Sequence, residues 1–457
     1  LTVMTFLGAG MLSGISAQVS PLQVDTLKET KIPDQWDLQS CIDYAKEQNI
    51  TIRKNRITAV STQIDVKTAK AALFPSLSFS TGHQVVNRPY QETSSRVSGS
   101  EIISSNSKTS YNGNYGLNAS WTLYNGNKRL KTIQQEKLNN QMAELDVATS
   151  ENNIQESIAQ VYIQILYAAE SVKVNENTLQ VSIAQRDRGQ ELLNAGSIAK
   201  SDLAQLEAQV STDRYQLVTA QATLEDYKLQ LKQLLELDGE NEMNIYLPAL
   251  SDENVLAPLP TKRDVYISAL SFRPEIEASK LNVEASELGI NIAKSSYFPT
   301  ISLSAGIGTN HTSGSDFTFG EQVKNGWNNS IGLSVSVPIF NNRQTKSAVQ
   351  KAKLQYETSM LSLLDEQKAL YKTIESLWLD ANSAQQRYAA ANEKLKSTQI
   401  SYELISEQFN LGMKNTVELL TEKNNLLQAQ QEQLQAKYMA ILNTQLLKFY
   451  QGDQLAL

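Results

Sequence analysis

The stretch FPSLSFS at Phe74–Ser80 decides the fold, because it recurs as FPTISLS at Phe298–Ser304, 224 residues later. A second match relates Gly116–Ser120 to Gly332–Ser336, now 216 residues apart. The two spacings differ, so one insertion or deletion lies in the polar stretch between the matches, where a surface loop tolerates a change in length. Repetition of this kind predicts a tandem duplication of a unit of about 220 residues.

Each copy contains two segments in which apolar and polar residues alternate. The apolar positions are Leu77 and Phe79, then Tyr115, Leu117, Ala119, Trp121 and Leu123 in copy one, and Ile301, Leu303, Ala305 and Ile307, then Ile331, Leu333, Val335, Val337 and Ile339 in copy two. A period of two over up to five apolar positions predicts β-strands. We therefore expect one hairpin in each copy, at 75–124 and at 299–340, with a long polar connection inside each hairpin.

Long helical patterns follow each hairpin. Helices are predicted over 126–195 and 342–411, and return helices over 197–236 and 413–449, with a further helix before each hairpin. Apolar residues recur with 3-4 spacing along these segments, which predicts coiled-coil packing. A helix of about 68 residues would be roughly 100 Å long, more than an ordinary globular core needs. Gly196 and Gly412 stand just past the ends of the long helices, where glycine is expected.

These elements give a predicted domain organisation. The copies span 18–236 and 263–457, the second ending in a C-terminal tail, and the proline- and acid-containing segment 237–262 joins them. Residues 1–17 are apolar and end in small residues, which indicates a secretory signal peptide; a buried N-terminal helix is the alternative. The single cysteine, Cys41, excludes an intramolecular disulfide and is expected to pack on an amphipathic segment.

Residues capable of catalysis are scarce. The net charge is −7 and no basic cluster is interleaved with aromatic residues, so no nucleic-acid partner is expected. The two histidines, His83 and His311, stand at strand-to-loop positions, and Cys41 belongs to a distant helix. No pattern for a nucleotide, cofactor or metal is recognised. The sequence therefore predicts a protein that is not an enzyme and has no catalytic, cofactor-binding or metal-binding residue.

The number of strands has a consequence for assembly. Beyond residue 17 no stretch approaches the roughly 18 uninterrupted apolar residues of a membrane-spanning helix. Strands of about ten residues with one apolar face and one face of small polar residues instead suit a transmembrane barrel, which needs about eight strands or more. Four strands cannot close, so several chains would have to combine. A soluble hairpin that caps a coiled coil also fits the alternation.

The order helix, Phe-Pro strand, loop, strand, long helix, glycine turn, helix, given twice, resembles the TolC family of outer-membrane efflux proteins. The closest local matches are LNAGSIAKSD at Leu193–Asp202 and FNLGMKNTVELL at Phe409–Leu420, which are similar to that family's helix-hairpin tips. The resemblance implies a mainly α, TolC-like fold with β-strands. In such a fold long coiled-coil helices form an α-barrel, and each chain gives four strands to a trimeric, twelve-stranded transmembrane β-barrel.

The resemblance also implies a location, partners and a function. A homotrimer would lie among the lipids of the outer membrane of a Gram-negative bacterium, with its helices in the periplasm. It would dock to a periplasmic adaptor (membrane fusion) protein and to an inner-membrane transporter of the RND or ABC type, and would conduct substrate passively. Two alternatives remain open: a periplasmic coiled-coil scaffold or adaptor without a pore, and an autotransporter-like passenger or enzyme.

The family's closed entrance is held by contacts between the tips, and these map onto Ser201, Asp202, Phe409 and Lys414. Phe409 lacks the family's tyrosine hydroxyl, and Lys414 replaces an arginine, so that a planar two-point contact becomes a point charge. The two tip turns, at Gly196 and Gly412, would splay when the entrance opens. We expect Lys414 and Asp202 to form an inter-helix latch.

The family also has carboxylates inside the entrance. Glu418 occupies the first such position; Thr421 stands at the second and Glu422 follows it. On a helix Glu418 and Glu422 share a face, and in a trimer a lumen-facing Glu418 would form a ring of three carboxylates that favours cations. The alternative is that both are solvated charges near a helix start, where acidic residues suit the helix dipole.

Overall fold

The structure is a computed structural model that describes residues 32–90, 94–98, 101–105, 108–238, 243–248, 255–313, 315 and 317–455. The predicted signal peptide, 1–17, lies outside the described residues. The chain divides into two compact units. Of the described residues, the first unit contains those up to Ile57 and those from Ile154 to 248, and the second contains Thr58–Asn153 and 255–455. The units do not follow the repeat, since two helices contribute to both.

The chain is mainly helical with four strands in its principal sheet, as the sequence predicts. Its helices are α1 (Leu38–Gln48), α2 (Ile50–Ala71), α3 (Lys128–Asn194), α4 (Lys200–Leu234), α5 (Lys262–Phe272), α6 (Pro274–Ser295), α7 (Phe319–Asn325), α8 (Gln344–Asn410) and α9 (Thr416–Gln451). Its strands are β1 (Ser76–Asn87), β2 (Ser94–Ser98), β3 (Glu101–Ser105), β4 (Thr109–Asn125), β5 (Thr300–Thr312) and β6 (Asn328–Ser336).

The principal sheet is antiparallel and has the order β1-β4-β5-β6, so the two predicted hairpins are neighbours. The register sets Phe79 opposite Leu117, Leu117 opposite Ile307, and Ala305 opposite Ile331. Directly opposed residues share a face, and the apolar residues of the four strands therefore lie on one face. The other face carries small residues, mostly Ser, Asn and Gly. Strands β2 and β3 pair with each other as a separate hairpin.

The structure differs from the sequence-based expectation in three of these segments, the first being the connection between β1 and β4, which contains the additional β2–β3 hairpin. The alternation predicted a strand up to Ile339, but β6 ends at Ser336. Pro338 has no N–H with which to continue a ladder, which explains the earlier end. The connection between β5 and β6, expected to be a loop, contains α7, whose first turn is held by a capping box between Thr318 and Glu321.

The helix expected before each hairpin is in both copies a pair of helices. In copy one the break is at Asn49, whose Oδ1 accepts a hydrogen bond from the Thr51 N–H at 2.9 Å. In copy two Pro274 occupies the first position of α6. A proline at that position costs no hydrogen bond, but it cannot continue the preceding helix. The residue before it, Arg273, accordingly has an extended backbone with ψ 126°.

The core of the first unit lies where α1, α3 and the segment 243–248 meet. The Trp36 N–H donates to the Asn244 carbonyl at 2.8 Å, and the Tyr246 N–H donates to the Trp36 carbonyl at the same distance. The Tyr162 hydroxyl donates to the Tyr246 carbonyl at 2.6 Å. Cys41 is fully buried beside them, and burial raises the pKa of its thiol to about 12. A buried thiol held in its protonated form is expected to be unreactive.

The longest helices that lie wholly in the second unit, α8 and α9, form a hairpin. Helix α8 has 67 residues and is therefore about 100 Å long. Its buried residues include a series with 3-4 spacing that ends in the last turn: Ile374, Ala381, Ala384, Tyr388, Ala391 and Phe409. Between α8 and α9 lies a groove of about 560 Å³ with a floor of small residues such as Ala384 and Ala436. Among the described helices, none combines the length and apolar character required to cross a membrane.

Candidate functional site

The predicted site residues stand at and beside two tight turns that occupy equivalent positions in the two copies, one turn in each compact unit. Gly196, after α3, has φ +73°, and Gly412, after α8, has φ +74°. The N–H after each glycine closes the turn on the carbonyl five residues earlier: Ser197 donates to Leu192 and Met413 to Gln408, both at 2.8 Å. Glycine adopts this left-handed conformation without steric cost. Each turn leads directly to the first residues of a return helix.

The start of α9 is fixed by a reciprocal pair of hydrogen bonds. Asn415 precedes the helix, and its Oδ1 accepts from the Glu418 N–H at 2.9 Å. Oε2 of Glu418 accepts from the Asn415 N–H at 3.2 Å. This capping box satisfies two N–H groups that the helix cannot pair internally. One oxygen of Glu418 therefore has a local structural role.

The second oxygen of Glu418 is also occupied. Lys414 Nζ donates to Oε1 of Glu418 at 2.6 Å, and the two side chains are 33% and 41% exposed. The hydrogen bond from Lys414, followed by that from the Asn415 N–H, lowers the pKa of Glu418. The carboxylate therefore stays ionised, and a cation of the same chain lies beside it. The structure thus brings together two of the predicted site residues, Lys414 and Glu418.

The start of α4 repeats this arrangement in a reduced form. Oδ2 of Asp202 accepts from the Ala199 N–H at 3.0 Å. Ala199 has no side-chain oxygen that could accept a hydrogen bond in return. Ser201 is exposed beside it. Because Asp202 belongs to the first unit and Lys414 to the second, the latch expected between them stays a prediction.

The two remaining predicted residues belong to the α8–α9 hairpin, Phe409 to α8 and Glu422 to α9. Phe409 is only 3% exposed, which makes its ring part of the core of the second unit. The Ser401 hydroxyl donates to Oε2 of Glu422 at 3.0 Å, across the hairpin. Asn425 Nδ2 lies 3.4 Å from Oε1 of the same residue. Glu422 is thus tied to its neighbours, while part of its surface remains exposed.

Asn415 is a residue that the sequence analysis missed. Its signal was present, because Asn followed three residues later by Glu is a helix-start pattern. A second omission is the ring cluster of His83, Tyr111 and His311 at the loop end of the sheet. These residues are far apart in sequence, and only the register of three strands brings them together. Within the described ranges, no group of three or more His, Cys, Asp or Glu side chains could hold a metal ion.

Comparison with characterised proteins gives relatives whose names place them in the outer membrane or describe export. The chain is 24% identical to the outer membrane efflux protein BepC of Brucella suis over 294 residues, 64% of this chain and 61% of that protein. It is also 24% identical to TolC of Escherichia coli over 294 residues, 62% of this chain and 58% of that protein. The match thus spans about three fifths of the length of each of these relatives. The toxin and drug export protein A of Aggregatibacter actinomycetemcomitans is 22% identical over 91% of this chain and 87% of that protein.

Solved structures share the fold. The chain resembles CusC with a TM-score of 0.77 and 19% identity, over 91% of this chain and 92% of that one. It resembles VceC of Vibrio cholerae with a TM-score of 0.74 and 16% identity, over 92% and 97%. The TolC-like fold class is thereby confirmed. The model of the family described as "Outer membrane efflux protein" matches twice, at 41–236 and at 265–452. The chain therefore belongs to the outer membrane efflux protein family, whose members are proteins of the outer membrane.

Proposed function

We propose that this chain is the outer-membrane duct of a tripartite export system and that it conducts substrate passively. The observation that carries the proposal is the four-stranded sheet. Among the described strands, β1 and β6 each have one neighbour in this sheet, so both of its edges are open. Its apolar face is exposed, with Phe79 68%, Ile331 83% and Leu333 65% exposed. An exposed apolar surface of this extent needs a cover, and lipid provides one.

Open edges in lipid require closure by further chains. A bilayer offers no hydrogen-bond partners, so strands cross it only as closed barrels. Strands β1, β4, β5 and β6 have 12, 17, 13 and 9 residues, and a tilted strand needs about 9–11 to span the bilayer. Four strands per chain allow closure in multiples of four, and family resemblance favours twelve strands from a homotrimer.

The long helices support the same assembly. On α8, Leu354, Leu361 and Leu404 are 62%, 67% and 60% exposed. A helix that leaves such residues uncovered in one chain can bury them against neighbouring helices. We infer that the helices of three chains pack side by side as a periplasmic tunnel.

The two tips would form the entrance. The turns at Gly196 and Gly412 would splay when a periplasmic adaptor protein and an inner-membrane transporter of the RND or ABC type engage them. Lys414 and Asp202 would latch the closed state, and Glu418 with Glu422 would line the entrance. The names of the relatives, efflux and toxin and drug export, support export rather than uptake.

Fractionation and conductance test the proposal. We expect the chain in the outer membrane as a trimer that only detergent extracts, and we expect conductance from the purified trimer in planar bilayers. A salt-soluble periplasmic protein without conductance would instead favour the pore-free scaffold.

Leu333→Arg, on the apolar face, should reduce membrane assembly, since arginine facing mid-bilayer lipid costs about 2–4 kcal/mol. Ser334→Arg, on the polar face of the same strand, is the matched control and should assemble.

A further inference from the structure

The apolar face of the sheet changes character towards its loop end. Residues paired across β1, β4 and β5 form rows that run across the sheet. Towards the loop end, one row contains Phe79, Leu117 and Ile307, the next on the same face contains Tyr115, and the one after that contains His83 and His311. His83 and His311 are both paired with Gly113, one on each side, so they stand on the same face. These are the only two histidines of the chain.

Ring contacts join the two histidines across three strands. The Tyr111 hydroxyl and Nδ1 of His83 share a hydrogen bond of 2.6 Å, and the two rings stack with centroids 5.8 Å apart. Tyr111 also meets His311 edge-on at 5.8 Å. Gly113 leaves the space for these rings, because a Cβ there would lie 3.2 Å from Nδ1 of His83. The rings present both apolar surface and polar atoms.

Helix α7 lies on this same face. The Phe319 ring centroid is 5.1 Å from that of His311 and 6.5 Å from that of Tyr115. The Thr309 hydroxyl donates to the Val323 carbonyl at 2.7 Å. Thr309 shares the face of Tyr115, with which it is paired. Phe319 and Val323 thus contact the outer, apolar side of the sheet, while Gln322 Oε1 accepts from the Thr312 N–H at 2.9 Å along the edge of β5.

The α7 segment exposes aromatic rings. Phe317, Phe319 and Trp327 are 44%, 53% and 57% exposed. Its acidic residue, Glu321, is engaged locally: Thr318 donates to it from both its N–H and its hydroxyl at 2.8 Å. The last turn carries an exposed lysine, Lys324. The helix is thus apolar towards the sheet, aromatic at its ends and basic in its last turn.

A basic pair lies beyond the rings on the neighbouring strands. The Arg88 N–H donates to the Lys108 carbonyl at 2.6 Å, just past the ends of β1 and β4. Both side chains are exposed. Continued by one pair, the register of β1 and β4 sets them on the polar side just past the end of the sheet, and from there long basic side chains can reach around to the headgroups. Outward along the sheet the order is therefore apolar residues, then aromatic and histidine rings, then cations. Membrane proteins show this order where acyl chains give way to interfacial headgroups and phosphates.

We propose that α7 and the adjoining ends of β1, β4 and β5 bind lipid at the headgroup level, with Arg88, Lys108 and Lys324 on anionic phosphates and Trp327 at the boundary with the acyl chains. The inference rests on the proposed function, since it requires the sheet to stand in a membrane. Short amphipathic helices with aromatic and basic residues lie in this interface. The segment would fix the depth of the duct in the outer leaflet.

Depth-dependent quenching tests the position of Trp327. The protein is reconstituted with lipids brominated either near the glycerol or near the chain ends, and wild type is compared with Trp327→Phe and Trp121→Phe. Trp121 is on the same face at the opposite end of the sheet, where its Nε1 donates to the Leu73 carbonyl at 2.7 Å. The fluorescence lost with each variant gives that tryptophan's own quenching. We expect Trp327 to be quenched more strongly by the shallow bromine.

The outcomes separate the inference from the proposed function. Quenching of Trp121 without quenching of Trp327 would overturn the lipid contact of α7 and leave the duct standing. If neither Trp121 nor Trp327 were quenched, the sheet would not lie in the membrane, and both the lipid contact of α7 and the proposed duct would be overturned. Quenching of Trp327 by the deep bromine alone would contradict its interfacial position.

The phosphate contact has its own test. Thermal unfolding is compared in micelles with and without a lipid that carries an anionic phosphate headgroup. We expect this lipid to raise the Tm of wild type and to lose that effect when Arg88, Lys108 and Lys324 are all replaced by Gln. The matched control replaces three exposed α8 lysines, Lys351, Lys372 and Lys396, and should retain the effect. An unchanged lipid effect in the first variant would overturn the phosphate contact.

Discussion

The ammonium of Lys414 lies 2.6 Å from Oε1 of Glu418, one helical turn away in the same chain. The carboxylate proposed for the entrance ring therefore has its own counterion. Copy one has no equivalent, because Ile198 stands 216 residues before Lys414. Three such pairs in a trimer would give a ring whose attraction for cations is reduced by its own lysines.

Replacing Lys414 by Met is therefore expected to increase the preference of the channel for cations. The change leaves three carboxylates without their local positive charges, and acidic rings favour cations. The reversal potential under a salt gradient measures the preference. Lys396→Met, on an exposed part of α8, removes the same charge and should leave it unchanged. Equal potentials in wild type and Lys414→Met would restrict Glu418 to its capping role.

The same pair predicts a pH dependence. Lys414 lowers the pKa of Glu418 from its ordinary value of 4.5, so wild type should keep the charged carboxylate further into the acid range than Lys414→Met does. On acidification, the variant should lose its cation preference at a higher pH. Any stability that the ionised group contributes is present above the ordinary pKa and is lost as the pH falls through the lowered one. In Glu418→Gln, neither the cation preference nor the stability should show this pH dependence. A pH dependence that persisted in this variant would belong to another group.

The caps of the two return helices form a matched pair for mutation. Asn415→Ala removes the acceptor of the Glu418 N–H and should destabilise the first turn of α9 by about 1 kcal/mol. Ala199→Asn introduces an acceptor at the start of α4, where Asp202 already supplies the reciprocal bond, and should stabilise that turn. Amide hydrogen exchange in the two first turns measures both effects. Equal exchange in Asn415→Ala and wild type would show that the capping bond contributes nothing in solution.

The sequence predicted those parts of the fold that depend on local pattern. Period-two alternation identified β1, β4, β5 and β6, and the glycines identified the ends of α3 and α8. Residue type also explains the departures, since Pro338 ends β6 early and Pro274 divides the helix before β5. The cap of α7, Thr318 with Glu321, was readable but lay in a segment interpreted as a loop.

The interactions of the candidate site were less predictable. Lys414 and Glu418 were each identified, but their mutual contact depends on the rotamers of two long side chains. The cluster of His83, Tyr111 and His311 depends on a register that pairs residues about 30 and 200 positions apart. No local pattern in one sequence encodes such a pairing.

Two glycines with positive φ should differ sharply in their tolerance of alanine. In the described part of the chain, a Cβ added at Gly412 would meet no atom within 4 Å, so Gly412→Ala should cost only the left-handed conformation, about 1 kcal/mol. At Gly126 a Cβ would lie 2.6 Å from the Ser295 carbonyl oxygen and 2.9 Å from the Phe298 Cβ. Gly126→Ala should therefore cost roughly 3 kcal/mol, because overpacking adds to the conformational term. Comparable thermal stabilities of the two variants would contradict the close approach at Gly126.

Arg273 forms a buried ion pair, and its replacement should reduce the local stability of the end of α9. Its guanidinium donates to Oε1 of Glu275 at 2.7 Å and lies 4.1 Å from the Tyr450 ring centroid. The two charged side chains are only 3% and 19% exposed. Arg273→Ala would leave Glu275 poorly solvated without this cation, and loss of one partner of a buried pair costs about 3 kcal/mol or more. Hydrogen exchange in the last turns of α9 measures the local stability there.

An exposed ion pair on α6, the helix that begins just after Arg273, supplies the control. Lys280 and Glu277 are 3.2 Å apart and about half exposed, and such pairs contribute at most about 1 kcal/mol. Lys280→Ala should therefore leave exchange in α9 unchanged. Arg273→Lys keeps the charge but loses the planar contact with the Tyr450 ring, so its effect should be intermediate. If Arg273→Ala changed hydrogen exchange in α9 as little as Lys280→Ala does, Glu275 would have to be readily hydrated without its cation. The ion pair would then not stabilise the packing of α6 against the end of α9.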